Sequence, residues 1–458
     1  MWLRSRGVVA KEDSLFAKHI KEQGYIVEGY AKSYLKLLVD RNYSPGSQLQ
    51  FEAALTDGQY ESRIDALVYD AATKSYDLYE IKSSTGVHRE HVYDATFQSL
   101  VAATSLSVRH VYLLHLNREY VREGELVLSE LFTIEQMDKR VERLREEVAE
   151  LRQAAAQLLE QHEPPTESHC YKPSDYPYPE QCFPALQEFS IYDLGHMSRK
   201  QYQELIEQGV KKLADIPETF SLSDRQHRQV HATRLQQPII DADAIRAELG
   251  DLEYPLSSLD YETFQEGIPR YDGYRPYQQA VTQFSLHVCR SEAAARAGEF
   301  EHYEYLAMEQ GDPACDLAEA LCSAIGETGT VIVWNKDFEC GRNEELATLC
   351  PEYAACLRSI NARTYDLMEL FRKGYYVDYR FKGSASIKNV LPVLCPELSY
   401  KELTIGEGTA AMLGWYEMVY GKVSEERRGT LKRDLLEYCK LDTWAMVEIW
   451  KKVGEVVQ

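Results

Sequence analysis

The feature that most constrains the fold is the stretch Ser258–Phe264, with the sequence Ser-Leu-Asp-Tyr-Glu-Thr-Phe. In it Leu259 and Tyr261 alternate with Asp260 and Glu262, and this period of two predicts a strand with both carboxylates on one face. Two carboxylates on one face repel each other unless a cation or a proton lies between them. Their oxygens suit Mg²⁺ or Mn²⁺. The stretch therefore predicts two metal ligands, although such a pair alone is more often an exposed charged face.

Length and composition restrict the class of protein. The 458 residues predict two or three domains, and 44% hydrophobic residues are enough for real cores. The formal net charge of −22 argues against a simple nucleic-acid binder with a basic surface. The net charge is still compatible with an enzyme that binds phosphates through metal ions and a locally basic channel.

Targeting signals and cysteines predict the compartment. No apolar run approaches a membrane span, so no membrane partner is expected, and the first residues lack the apolar core of a secretory signal. The ten cysteines are scattered without a C-x-x-C pair. We expect a cytoplasmic protein with reduced thiols.

The first 130 residues or so contain a second candidate constellation. The pattern predicts a helix over 12–39, a strand over 108–116 and, between them, three further strands and a helix over 91–98. Glu80 and Lys82 share a face of the third strand, and Asp65 lies on the strand before it. A carboxylate pair that binds a divalent ion, with a lysine nearby, can activate water for attack on a phosphodiester.

This ordered set resembles the PD-(D/E)xK nuclease fold, in its RecB-like and Cas4-like branch, over roughly residues 12–130. The resemblance implies metal ligands at Glu28, Asp65 and Glu80, a catalytic Lys82 and a supporting Gln98. The alternative is an exposed strand with an ordinary Glu–Lys pair. Relatives in this branch often hold an iron–sulphur cluster on four cysteines. Because only Cys170 and Cys182 lie in the expected region, no iron–sulphur cluster is predicted.

A helical region is predicted between two nuclease-like domains. Residues 134–162 predict a long charged helix, with apolar residues at heptad spacing from Met137 to Leu158. That seam is compatible with a homodimer or another protein partner, but a helix docked on its own domain is favoured for so short a seam. The predicted organisation is 1–133 as the first domain, 134–250 as helical linker region and 251–458 as the second domain.

Two further motifs follow Asp260 and Glu262 in the C-terminal half. Glu339 follows a buried strand over 330–335, at its junction with a helix. Tyr438 and Asp442 are four residues apart in a predicted helix over 431–453 and share one of its faces.

The three motifs together resemble the DEDD, or DnaQ-like, exonucleases on the RNase H-like fold. The resemblance implies that two divalent ions are held by Asp260, Glu262, Glu339 and Asp442, and that Tyr438 orients the attacking water. Glu339 stands where that family usually has Asp. The alternative is an acidic sheet whose carboxylates coincide by chance.

Four residues are candidates for nucleic-acid contact. Arg270, Tyr274 and Arg275 lie in a loop dense in Arg and Tyr, and Lys388 lies at the start of a predicted helix. Aromatic rings beside arginines can stack on bases and hold phosphates, or they can equally cover the edge of a core.

The expected protein is α/β, with PD-(D/E)xK-like and RNase H-like domains joined by a helical linker. Its overall sequence resembles the uncharacterised bacterial DUF2779 proteins. The expected function is Mg²⁺- or Mn²⁺-dependent hydrolysis of phosphodiester bonds in DNA or RNA, from an end, in nucleic-acid processing, repair or defence. The alternative is a catalytically decayed nuclease that serves as a nucleic-acid- or protein-binding scaffold. A third hypothesis, a protein that binds its partners through a coiled coil, is supported only by residues 137–158.

Overall fold

The structure is a computed structural model that describes residues 15–161, 173, 183, 186–400 and 403–457. It contains two compact units. The first comprises Met1–Pro164 with Gln265–Gln279, and the second Pro165–Phe264 with Ala280–Gln458. Both combine helices with a β-sheet, so the predicted α/β class is confirmed. The predicted linker region is shared between them, since its long helix lies in the first unit and its later helices lie in the second.

The first unit is built on a five-stranded sheet with the strands in sequence order. The strands are β1 (Gln48–Thr56), β2 (Glu61–Asp70), β3 (Ser75–Lys82), β4 (Val108–Leu116) and β5 (Phe132–Gln136). The helices are α1 (Leu15–Asn42), α2 (Arg89–Ala102), α3 (Leu128–Leu131) and α4 (Asp138–Glu160). Only β3 and β4 pair in parallel, and α2 makes the crossover between them. Such a crossover needs a helix because the chain must return to the same end of the sheet.

Helices cover both faces of this sheet. On one face α1 buries Val27, Ala31 and Leu35 at a spacing of four, which is the spacing of one helix face. On the other face Val92 of α2 and Val141 of α4 pack against the sheet. Strand β3 lies beneath both layers, which explains why it is buried on both faces and why Glu80 is buried within it.

The expected helix over 134–162 is only partly correct, because its first residues belong to β5 and α4 begins at Asp138. Helix α4 packs against its own unit. Arg152 pairs with Asp57 at 3.1 Å, and the Tyr60 hydroxyl donates to the Arg152 carbonyl at 3.1 Å. Leu151, a position of the heptad seam, is 51% exposed. The arrangement is that of a docked helix, and it gives no support to a coiled-coil dimer.

The second unit is built on a five-stranded mixed sheet with the order β11-β10-β7-β8-β9. The strands of the unit are β6 (Ile239–Ile240), β7 (Leu256–Phe264), β8 (Ala280–Cys289), β9 (Glu301–Leu306), β10 (Thr330–Val333), β11 (Thr364–Asp366) and β12 (Tyr376–Val377). The helices before β10 are α5 (Arg199–Glu207), α6 (Asp224–Leu235), α7 (Ala242–Gly250), α8 (Glu292–Ala297) and α9 (Ala314–Ile325). The later helices are α10 (Lys336–Leu349), α11 (Ala354–Ala362), α12 (Glu369–Arg372), α13 (Ile387–Leu394), α14 (Gly408–Tyr420) and α15 (Glu425–Val457).

Strand β7 is the centre of this sheet. It pairs in parallel with β10 and antiparallel with β8. Leu259 and Tyr261 face the core that α9 covers, and so the intervening Asp260 and Glu262 face the opposite side. Helix α15 packs on that opposite side. The alternation predicted from the sequence therefore directs both carboxylates towards the last helix of the chain.

The cysteines differ from the expectation of reduced thiols. Cys315 is bonded to Cys350 and Cys322 to Cys356. The expectation was wrong for these four residues because α9 lies beside the segment after α10, a contact that the sequence pattern does not encode. The prediction about an iron–sulphur cluster concerns Cys170 and Cys182, which lie outside the described residues. Within the described residues, no helix combines the length and apolarity needed to cross a membrane.

Candidate metal centres

The second unit brings carboxylates from three elements together. Asp260 and Glu262 come from β7, Glu339 from the first turn of α10, and Asp442 from the middle of α15. Glu262, Glu339 and Asp442 are buried and Asp260 is partly buried. Asp442 acts on the charge of Asp260 and Glu262, and these two act on the charge of Glu339. This is the set that the three motifs predicted from the sequence.

Glu339 is held by the way α10 begins. Asn335 caps the helix, and its side chain accepts a hydrogen bond from the Phe338 amide at 3.4 Å. Helix α10 starts at Lys336, so Glu339 lies inside its first turn rather than at the junction before it. Its side chain is 4% exposed, and its Oε2 has no hydrogen-bond partner among the described residues. A buried carboxylate oxygen without a partner is costly, so this oxygen is suited to bind a cation or to carry a proton.

Helix α15 presents three polar side chains to β7. Tyr438, Cys439 and Asp442 lie within one turn, on the same side of the helix, and all are buried. The Cys439 thiol donates to Asp260, with Sγ 3.8 Å from Oδ2 and 3.9 Å from the backbone oxygen. Asp442 accepts hydrogen bonds from Tyr438 and from Tyr400.

The electrostatics of the cluster reflect crowded negative charge. Burial, and after it the neighbouring carboxylates, raises the pKa of Asp260, Glu262 and Glu339 well above the ordinary values. Burial raises the pKa of Asp442 to about 6, against the opposing effect of the Tyr400 hydrogen bond. In the absence of a cation, protons therefore have to neutralise part of the cluster at neutral pH.

The donor atoms fit a divalent ion. Among the described residues, one group of metal-ligating side chains has donor atoms within 4.8 Å of one another, namely Asp260, Glu262 and Cys439. Glu339 and Asp442 lie at its margin, and the orphaned Glu339 Oε2 supplies a further free donor. A Cβ atom at Gly408 would be 3.7 Å from Glu262 Oε2, so the start of α14 lies against this carboxylate. The amides at a helix start favour negative charge there.

The first unit also brings its predicted residues together. Asp65 Oδ2 accepts from the Ile81 amide at 2.7 Å, and Gln98 donates to Glu80 at 2.5 Å. Burial raises the pKa of Asp65 to about 7, with further contributions from the charges of Glu80 and Glu28. Glu28 itself pairs with Lys32 at 2.7 Å. In the described part of the chain, Glu28, Asp65 and Glu80 do not form a group as tight as the one in the second unit.

Lys82 lies between two carboxylates of the first unit. Its Nζ is 2.8 Å from Glu80 and 2.7 Å from Asp94. Burial lowers the pKa of Lys82, but the charges of Glu80 and Asp94 outweigh burial and raise it above its ordinary value. The lysine is therefore protonated at neutral pH, which suits a group that steadies negative charge and does not suit a general base.

The four residues predicted to contact nucleic acid differ in their exposure and in their ion pairs. Tyr274 is 3% exposed, which agrees with the alternative that this ring covers the edge of a core. Arg270 forms a bidentate ion pair with Glu266, at 2.7 and 2.5 Å, so its positive charge is already paired within the loop. Arg275 is exposed. Lys388 is exposed too, and its charge acts on both Glu262 and Asp442, which places it at the rim of the carboxylate cluster.

Sequence reasoning missed three residues of these sites. Cys439 lies inside the Tyr438–Asp442 motif, three residues before Asp442, and this helical spacing would have revealed it. Asp94 lies on the exposed side of α2, and nothing in its own sequence neighbourhood marks it. Tyr400 reaches Asp442 across 42 residues of sequence, which no local pattern records.

Comparison with known proteins supports part of the expected resemblance. A family model described as a domain of unknown function, DUF2779, matches residues 257–386, which confirms that resemblance for this stretch. The stretch contains Asp260, Glu262 and Glu339. The uncharacterized protein MG366 of Mycoplasma genitalium is 24% identical over 213 residues, which are 43% of this chain and 32% of that protein. The chain thus spans about a third of the length of the curated relative that it matches. No solved structure matches the chain.

Proposed function

We propose that the protein is a metal-dependent nuclease that hydrolyses phosphodiester bonds of DNA or RNA from an end, with its main centre at Asp260, Glu262, Glu339 and Asp442. The observation that carries the proposal is Oε2 of Glu339, a buried carboxylate oxygen without a partner beside three further carboxylates. Four clustered carboxylates repel one another and lower the stability of the fold. A site that binds divalent ions would explain why they lie together.

The residues around this centre have matching roles in the proposal. Bound Mg²⁺ or Mn²⁺ would activate water and stabilise the leaving oxygen of the phosphodiester. Tyr438 and Tyr400 both donate a hydrogen bond to Asp442, and in the proposal Tyr438 orients that water. Lys388, exposed at the rim, supplies a positive charge for the backbone of the substrate. An overall charge of −22 is compatible with this role because positive charge is needed only at the site.

The first unit is proposed as a second nuclease site. Asp65 and Glu80 would hold the ion with Glu28, Gln98 would fix Glu80, and the protonated Lys82 would steady charge on the phosphate. The two sites lie in separate compact units, so each is expected to work with its own ligands.

The competing proposal is a decayed nuclease that serves as a scaffold. It is favoured by the loop residues, since Tyr274 is buried and Arg270 is paired with Glu266. Nucleic-acid binding without cleavage, or the binding of a protein alone, would be its signature.

The proposal is tested with end-labelled single- and double-stranded DNA and RNA, incubated with purified protein and Mg²⁺ or Mn²⁺. We expect metal-dependent shortening from one end. Asp260→Asn should slow the activity of the second unit by about 100-fold or more, because a ligand of the metal is lost. Lys82→Ala should instead remove the activity of the first unit and leave metal binding there intact.

Matched variants separate chemistry from folding. Asp337→Asn changes an exposed acid in the same helix turn as Glu339 and should leave cleavage unchanged. If the wild-type protein binds Mn²⁺ but cleaves none of the substrates, the scaffold is the better account. If Asp260→Asn cleaves as fast as the wild type, the second centre is not catalytic.

A further inference from the structure

The carboxylate cluster contains a thiol that the family resemblance does not explain. Cys439 is fully buried on the face of α15 that carries Asp442, and its sulphur points at Asp260. It is part of the group of donors that lie within 4.8 Å of one another. Sulphur in a set of oxygen donors changes which metal ion the set prefers, because thiolates favour softer ions such as Zn²⁺ over Mg²⁺.

The geometry suits simultaneous coordination by sulphur and oxygen. With metal–sulphur and metal–oxygen bonds of about 2.3 and 2.1 Å and a tetrahedral angle, the two donor atoms lie roughly 3.6 Å apart. The observed distance from Cys439 Sγ to Asp260 Oδ2 is 3.8 Å. An ion between them therefore needs only a small adjustment of either side chain.

A second observation is independent of the thiol. Oε2 of Glu339 is buried without a partner among the described residues, and Asp260 and Glu262 are the charges closest in effect to this carboxylate. The cluster therefore offers a spare oxygen donor in addition to its sulphur. The sulphur and the carboxylates of Asp260 and Glu262 supply three protein ligands, and a Zn²⁺ site with three protein ligands keeps its fourth position open.

We propose that Cys439 is a metal ligand, and that with Asp260 and Glu262, beside the spare oxygen of Glu339, it makes this centre bind a thiophilic divalent ion of the Zn²⁺ class in preference to Mg²⁺. On binding, the S–H bond is replaced by a metal–sulphur bond and the proton passes to solvent. The inference rests on the proposed function because it concerns the same centre, and it specifies the metal class.

Calorimetric titration of the full chain with Zn²⁺, Mn²⁺ and Mg²⁺ tests the proposal. In Cys439→Ser, the Zn²⁺ affinity of this centre should fall by roughly 10- to 100-fold or more. Loss of a residue that only supports a metal ligand already costs that much affinity, and Cys439 is proposed as a ligand itself. Mg²⁺ affinity should stay within about twofold, because Mg²⁺ takes oxygen donors. Cd²⁺ provides a second readout, since its bond to a thiolate has an ultraviolet absorption band. That band should be lost in Cys439→Ser.

The matched control is Cys395→Ser, which changes another buried free thiol of the same unit and should keep the band. Cys439→Ala serves as a second variant if serine disturbs the helix, as judged by thermal melting. Equal Zn²⁺ affinity in the wild type and a folded Cys439 variant would overturn the inference. The variant Asp260→Asn shows whether only the inference about Cys439 fails or the proposed nuclease centre fails as well. If Asp260→Asn loses the Mn²⁺ binding and the cleavage that belong to this centre, the nuclease centre stands even when Cys439 is not a ligand.

Discussion

The Tyr400 hydroxyl donates a hydrogen bond to Oδ1 of Asp442 over 2.5 Å, from the segment between α13 and α14 to the middle of α15. This bond favours the charged form of the carboxylate and opposes the effect of burial on its pKa. In the proposed centre, Tyr400 would thereby keep Asp442 charged, and able to bind a metal ion, down to mildly acid pH.

Tyr400→Phe should weaken Mn²⁺ binding most at mildly acid pH. Loss of the hydrogen bond moves the pKa of Asp442 further above about 6, so a larger fraction is protonated. A hydrogen bond to a charged group is worth about 1.5–3 kcal/mol, which corresponds to an affinity loss of roughly tenfold or more near pH 6. Calorimetry at two pH values measures it. The control is Tyr375→Phe, because the Tyr375 ring packs under Lys373. This variant should bind Mn²⁺ as the wild type does.

Glu339→Gln should make the metal-free second unit more stable while removing the response of that unit to Mn²⁺. The amide relieves repulsion from Asp260 and Glu262 but cannot replace the carboxylate as a strong ligand. Thermal unfolding with and without Mn²⁺ gives both quantities. A Glu339→Gln protein that Mn²⁺ stabilises as much as it stabilises the wild type would show that Glu339 is outside the centre. Asp337→Asn should leave the Mn²⁺ response intact.

The stability of the metal-free protein should rise as the pH is lowered from about 7 to about 5. Burial raises the pKa of folded Asp442 from 3.8 to about 6, so the folded state binds this proton more tightly than the unfolded chain. The corresponding stability is present at low pH and is lost as pH rises through about 6. Its size is on the order of 2 kcal/mol. Denaturant titrations over this range should show the dependence in the wild type and a smaller one in Asp442→Asn.

Parts of the fold followed from local pattern. Strand β4 has the predicted bounds, because alternation and flanking turn residues are local signals. The start of β5 was missed because its five residues run directly into a helical pattern. The helix α14 was not predicted at all.

The sites show the same division between local and distant information. The shared face of Asp260 and Glu262 is a consequence of strand period alone. The contact between Tyr400 and Asp442, and the pairing of Cys315 with Cys350, join residues that are 42 and 35 positions apart. Such contacts depend on how elements pack, and spacing in the sequence does not contain that information. The metal ligands themselves stay a prediction.

Opening the two disulfide bonds should destabilise the second unit selectively. Each closes a loop of 35 or 34 residues, which corresponds to about 3–4 kcal/mol of chain entropy per bond. Thermal melting with and without a thiol reductant should show one transition that moves down while the transition of the first unit stays in place. The double variant Cys315→Ser, Cys350→Ser should reproduce part of the shift without reductant. An unchanged melting curve would indicate that these thiols are not bonded in solution.

The most direct test of the central claim is anomalous diffraction from crystals soaked in Mn²⁺, recorded on the wild type and on Asp260→Asn. We predict a manganese peak within bonding distance of the Asp260 and Glu262 carboxylates in the wild type, at about 2.1–2.2 Å from their oxygens. The peak should be absent from Asp260→Asn. A wild-type crystal at saturating Mn²⁺ with no peak beside these carboxylates would contradict the metal centre, and with it the proposed nuclease.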